Sequence, residues 1–109
     1  MLEYAREAVE ILGDREQAAL ESDRMLFYAL VHLVGLVGEA ANRVGKDEQL
    51  AHPEVPWSDI IGARNRLIHG YDNIDVAVLW QILHTDLPSL IVKLEAIPGM
   101  ETPSADQKK

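Results

Sequence analysis

The sequence predicts an all-α protein: an antiparallel, up-and-down bundle of four to five helices, with a long central helix and a kinked C-terminal one. Three observations lead there. Apolar residues recur at three- and four-residue spacing along most of the chain, and no segment shows the strict alternation of a half-buried strand. Gly13, Gly45, Pro53, Pro56 and Gly70 punctuate these stretches. Of 109 residues, 48% are hydrophobic and none is cysteine, which supplies a core and excludes a disulfide frame, a thiolate metal site or a thiol nucleophile.

Each element has a local reason. Leu2, Ala5, Val9 and Leu12 share one face of a first helix, which Gly13 ends or bends. Residues 14–22 are polar and helical in character; they either continue that helix or form a short one. Ser22 and Asp23 are N-cap candidates for a long second helix over about 23–45, with Gly45 in its C′ position. KDEQLAHPEVP reads as a loop. A third helix is expected from Trp57 to His69, stopped by Gly70. Asn73 or Asp75 caps a fourth, carrying Val76, Leu79, Leu83, Leu87, Leu90, Ile91 and Leu94. Pro88 must kink or break it, because proline lacks an N–H and clashes with the preceding turn. Residues 1–97 form one domain, and PGMETPSADQKK, residues 98–109, is expected to be a disordered tail.

The formal net charge is −8, unevenly spread. Residues 1–23 sum to −5, residues 24–71 to zero and residues 72–109 to −3. This argues against a general nucleic-acid coat, whose affinity comes from neutralising phosphates, but leaves room for a local anion site in the neutral middle. No apolar run approaches the ~18 residues of a membrane span. The acidic, amphipathic start is unlike a signal peptide. The expectation is a soluble cytoplasmic domain with no membrane partner, modest enough in core that an oligomer would help stabilise it.

The second helix is apolar on more than one side. Leu26, Leu30, Leu33, Val34, Val37, Ala41 and Val44 make one stripe. The reverse carries Tyr28, His32, Gly35, Leu36, Glu39 and Arg43. Gly35 and Gly38 each cost ~1 kcal/mol in a helix interior, so something approaches closely there. A core on one side and a subunit contact on the other is the economical reading. A central helix surrounded by its own neighbours is the alternative.

The third helix holds the sharpest chemical signal. At about 100° per residue, Trp57, Ile60, Ile61, Leu67 and Ile68 share an apolar face with Arg64 in its middle. A guanidinium there must be paired or must line a site. Asn65 and His69 fall on the flank, and Tyr71 follows the helix-ending Gly70. From spacing alone, a plain structural dimer stays open, with Arg64 an ion pair (with Glu39 in the core, or across the interface) and His69 an end residue favoured by the helix dipole.

The string RNRLIHGY resembles the Arg-x4-His-x-Tyr motif of HepT-like toxins in the HEPN superfamily. Other pieces agree in order: Gly38-Glu39-Ala40, Val55-Pro56-Trp57, VLWQIL and DLPSL. The resemblance spans roughly residues 1–97. It implies a helical bundle that dimerises with its motifs facing each other, and a metal-independent endoribonuclease acting as the toxin of a toxin–antitoxin module. It makes Arg64 and His69 the catalytic pair, Asn65 and Glu39 supporting residues, and Tyr71 the tyrosine to which a cognate MNT-type nucleotidyltransferase antitoxin adds AMP. The implied partners are a second copy, that antitoxin and an RNA substrate, mRNA or tRNA. No cofactor and no metal is implied.

The chemistry stands beside the resemblance. Metal-free RNA cleavage needs a base for the 2′-OH, an acid for the departing 5′-oxygen and a cation for the phosphate. Imidazole, with an ordinary pKa near ~6.5, serves as acid or base, and arginine clasps phosphate through two N–H groups. A two-fold dimer supplies two motif histidines. The other histidines, His32, His52 and His84, have no metal-ligand spacing; His32 reads as a satisfied core histidine ahead of the alternative, a place on the inner dimer surface, and His52 reads as a solvated loop residue. Trp57 and Trp80 read as core anchors rather than base-stacking platforms. The competing function is a noncatalytic HEPN module that binds nucleotide or RNA, or an accessory subunit of a minimal nucleotidyltransferase, which the acidic charge favours.

Overall fold

The computed structural model describes residues 1–69 and 73–98, with the side chains of Ile68, His69 and Asn73 outside that description. Helix α1 (Leu2–Leu12) buries Leu2, Ala5, Ala8 and Leu12. The two alanines let it lie close against its neighbours. Gly13, at φ 58 and ψ −133, takes a positive-φ conformation that favours glycine and ends the helix, and Arg15 donates to the last carbonyls, Ile11 at 2.6 Å and Leu12 at 3.2 Å. Residues 17–22 form their own helix, α2 (Gln17–Ser22), so the separate-piece reading is the correct one.

Helix α3 (Arg24–Asn42) is the central rod, and it packs on α1 and α2. Asp23 caps it, its carboxylate accepting from the Leu26 N–H at 3.1 Å. Leu26, Phe27, Leu30, Leu33, Val34, Val37, Gly38 and Ala41 are buried along it. By length and composition alone α3 could cross a membrane, at a mean hydropathy of 1.4; its buried face serves as the centre of the bundle core.

Two expectations fail just beyond it. Gly45 is not a left-handed C′ residue; at φ −62 it is the N-cap of another helix, and α3 ends earlier, with Arg43 as its C-cap. The stretch read as a loop contains that helix, α4 (Lys46–Ala51). Its Gln49 amide donates to the Ala41 and Val44 carbonyls at 3.3 and 3.0 Å. Bonding to carbonyls at the C-terminal end of the rod ties the extra turn to α3.

The third helix is also not continuous. It divides at Gly62 into α5 (Trp57–Ile61) and α6 (Ala63–Leu67), both packed on α3. It stops at Leu67 rather than His69, and the backbone enters a two-residue strand, β1 (Ile68–His69), pairing antiparallel with β2 (Asn73–Ile74). The Asp75 N–H donates to the Leu67 carbonyl at 2.9 Å, just outside this strand pair. Asp75 then caps α7 (Val76–Gln81), accepting from Ala77 and Val78 at 3.0 and 3.2 Å.

Pro88 perturbs the C-terminal rod as proline chemistry requires, by a widened turn instead of a break. A π-helical segment, Ile82–Asp86, separates α7 from α8 (Leu87–Glu95), and Pro88 lies in the first turn of α8, where a missing N–H costs little. The rod returns along α1, with Arg6 bonded to Glu95 at 2.6 Å. The core is one cluster, with no buried polar side chain among the described residues. The expected tail, apart from Pro98, lies outside the described residues, as does Gly70.

Candidate functional site

Two glycines on α3 decide how α5 and α6 sit. A Cβ at Gly38 would stand 3.0 Å from the Ile60 carbonyl oxygen, so the end of α5 rests directly on the backbone of α3. At Gly35 a Cβ would meet the Arg64 side chain, 3.5 Å from Cδ and 3.8 Å from Nε. The close approach expected at these glycines is therefore made within the chain, by α5 and by the aliphatic arm of Arg64.

The buried stripe of α5–α6 is Trp57, Ile60, Ala63 and Leu67. The turn at Gly62 rotates the predicted face, so Arg64 sits on its exposed edge instead of in its middle. No ion pair joins Arg64 to Glu39, and among the described residues the Arg64 guanidinium has no hydrogen-bond or charge partner. The core ion-pair reading is thus excluded among the described residues.

Arg64 faces a cleft of about 580 Å³ between α3 and α6. Glu39 and Asn65 line the same cleft, so three of the five candidate residues share one space. His69 is fixed through its backbone in β1, five residues past Arg64; its side chain and all of Tyr71 lie outside the described residues.

Sequence reasoning underrated part of the wall. His32 is exposed in the cleft, not a core histidine, because position 32 lies on the face of α3 opposite the Leu26–Leu30–Leu33 stripe. Tyr28 and Asn42 line the cleft with it. A signal for these existed: Arg24, Tyr28, His32, Gly35, Glu39 and Asn42 follow one another at steps of three or four, within an arc of about 80°.

The remaining candidates sit elsewhere. Trp57 is buried, with its indole N–H on the His52 carbonyl at 3.0 Å. His52 is half-buried rather than solvated, between Glu48 at 3.4 Å and Glu54 at 3.5 Å. Trp80 is half-buried and stacks on His84, with centroids 4.8 Å apart. No group of three potential metal ligands occurs among the described residues.

Chemically, the cleft offers a guanidinium, a carboxylate, an imidazole, two amides and a phenol, open to solvent and floored by glycine. That set suits an anionic, hydrogen-bonding ligand with flat rings.

Known proteins resemble the chain over most of its length. Residues 1–97 match the HepT-like family, described as ribonuclease HepT-like. A Methanocaldococcus jannaschii protein provisionally named an RNase is 32% identical over 97 residues, covering 89% of each chain. The probable ribonuclease HepT of Thermococcus cleftensis is 33% identical over 100 residues, covering 88% of this chain and 91% of its own. A Caldanaerobacter subterraneus protein, also provisionally named an RNase, is 28% identical over 100 residues, covering 88% and 89%. No solved structure matches the chain.

Proposed function

The chain belongs to the HepT-like ribonuclease family of the HEPN superfamily, and from that premise we propose that it is a metal-independent endoribonuclease and the toxin of a toxin–antitoxin pair, acting in the cytoplasm. The observation that carries this reading is Arg64. Its arm lies over Gly35, and among the described residues its guanidinium has no partner at the edge of an open cleft. An unpaired cation so placed is prepared for a phosphate.

In the proposed reaction, Arg64 binds the non-bridging phosphate oxygens and stabilises the added negative charge. One His69 takes the proton from the 2′-OH as the O2′–P bond forms. The P–O5′ bond breaks, and a second His69, from a two-fold partner, gives its proton to the departing 5′-oxygen. The products are a 2′,3′-cyclic phosphate and a 5′-hydroxyl. Asn65 and Glu39 orient the bound backbone from the walls of the cleft. Cleavage that survives EDTA and disappears in His69→Ala is the expected result. Robust cutting by purified His69→Ala would defeat the proposal, as would cutting abolished by EDTA.

Neutralisation is proposed to run through Tyr71. An MNT-type nucleotidyltransferase antitoxin would join the tyrosine oxygen to the α-phosphate of ATP, releasing pyrophosphate. The added phosphate and base would repel and obstruct RNA near the motif. The expected result is a mass increase of one AMP after co-expression with the antitoxin, absent in Tyr71→Phe.

The net charge of −8 favours a second reading, a noncatalytic nucleotide- or RNA-binding HEPN module or accessory subunit. Growth arrest on expression, relieved by His69→Ala, separates the two and supports the nuclease.

A further inference from the structure

The cleft extends beyond Arg64 along α3, where the side chains change from hydrogen-bonding groups to rings. Tyr28 is 52% exposed and His32 is exposed, one helical turn apart on the cleft side. Tyr28 does not hang free. Arg24 donates from Nη2 to its hydroxyl at 2.6 Å, with the guanidinium carbon 5.0 Å from the ring centroid, and Phe27 meets the ring edge-on at 5.3 Å. A ring held this way loses little freedom when something stacks on it. From Arg24 to the berth of Arg64 at Gly35, this stripe holds two cations and two rings and no carboxylate, in a protein of charge −8. The distance along α3 from Tyr28 to Gly35 is about 10 Å, the reach of a nucleotide adjoining the phosphate on Arg64.

We propose that Tyr28, braced by Arg24 and flanked by His32, is a base-stacking subsite that receives an unpaired nucleobase next to the phosphate bound by Arg64. The inference rests on the RNA-cleaving reading of the cleft and gives it a substrate class, single-stranded RNA or an unpaired loop. Stacking supplies affinity without demanding a particular sequence, because every base has a π-face. It also explains how a strongly acidic protein holds RNA: two local cations and a ring take the place of a basic track.

The test uses the non-cleaving His69→Ala chain and fluorescence anisotropy with a labelled single-stranded RNA oligonucleotide. Adding Tyr28→Leu should weaken binding about 10-fold, as expected for loss of one stacked base, while Tyr28→Phe, which keeps the ring but loses the Arg24 hydrogen bond, should weaken it by less. His32→Ala gives a second, smaller loss. A fully paired duplex should bind weakly and be insensitive to Tyr28→Leu. Melting followed by circular dichroism checks the fold, which an exposed ring should not control. If Arg64→Ala weakens binding and Tyr28→Leu does not, the subsite is wrong and the RNA reading stands. If neither substitution matters, both fail. If Tyr28→Leu instead splits a dimer in size-exclusion chromatography, the stripe is an interface between copies and the subsite is overturned. Tyr28-dependent binding in a chain whose parent cuts no RNA would support the subsite while counting against the nuclease chemistry.

Discussion

Arg64 and Arg66 are two residues apart on a helix of five, and the molecule treats them in opposite ways. Arg66 points into a second cleft, of about 420 Å³, between α6 and the C-terminal rod, where Asp86 stands 3.9 Å away and Lys93 and Asp59 share the lining. Charges of both signs meet there, and the arginine is answered within the chain. Arg64 lies in the other cleft with its arm against a glycine; Glu39 shares that lining, but no ion pair reaches the guanidinium among the described residues. The same residue type on the same turn is structural on one side and available on the other. The difference comes from what faces it: a carboxylate on the C-terminal rod for Arg66, the bare backbone of α3 for Arg64.

Removing the available arginine should have the strongest consequence. Arg64→Ala should lower RNA cleavage by about 10²–10³-fold, the usual loss when one group stabilising a developing charge is removed. Its melting temperature should stay near that of the parent, because the guanidinium is unpaired among the described residues and only the exposed arm rests on Gly35. A large stability loss with cleavage intact would reverse the assignment.

Next comes Leu67, fully buried and held by the same short helix. Leu67→Ala should cost about 2–5 kcal/mol in urea unfolding, since it opens a cavity at the centre of the core. It should reduce cleavage only in proportion to the unfolded fraction.

The glycines sharpen the contrast at smaller scale. Gly38→Ala drives a Cβ to 3.0 Å from a backbone carbonyl that cannot move aside alone. Overpacking of about 1–3 kcal/mol outweighs the ~1 kcal/mol that alanine gains in a helix, so the chain should be destabilised. Gly35→Ala meets only the flexible arm of Arg64 at ordinary contact distance, and the helix gain should leave the chain as stable or more so. Thermal melts of the two variants check the opposite signs.

Arg66→Ala is the smallest. Its ion pair with Asp86 is between two partly exposed side chains, and such pairs contribute about 0–1 kcal/mol. Cleavage should remain within a few-fold of the parent.

What could be read in advance was local. Asp23 and Asp75 announce their helices because a carboxylate satisfies N–H groups two or three residues away, and Gly13 ends α1 because its conformation suits few other residues. Helix α4 was hidden because its anchor is Gln49 reaching back to carbonyls at the end of α3. The division at Gly62 and the pairing of Ile68 with Ile74 depend on packing against α3 and on contacts between separated segments, which no local pattern encodes. At the site, RNRLIHGY singles out Arg64 and Asn65 through resemblance, and Glu39 stands in the GEA string. His32 was misplaced because a lone histidine on a largely apolar helix looks like core. Only the position of α6 shows that its face borders a cleft.

In the proposed reaction one guanidinium and one imidazole per chain cut RNA without metal. Incubating the purified protein with labelled RNA in EDTA and identifying the new ends tests this. Fragments should end in a 2′,3′-cyclic phosphate and begin with a 5′-hydroxyl, and should be absent with Arg64→Ala and with His69→Ala. Intact RNA, or fragments carrying 5′-phosphates that form only when divalent ions are restored, would contradict it.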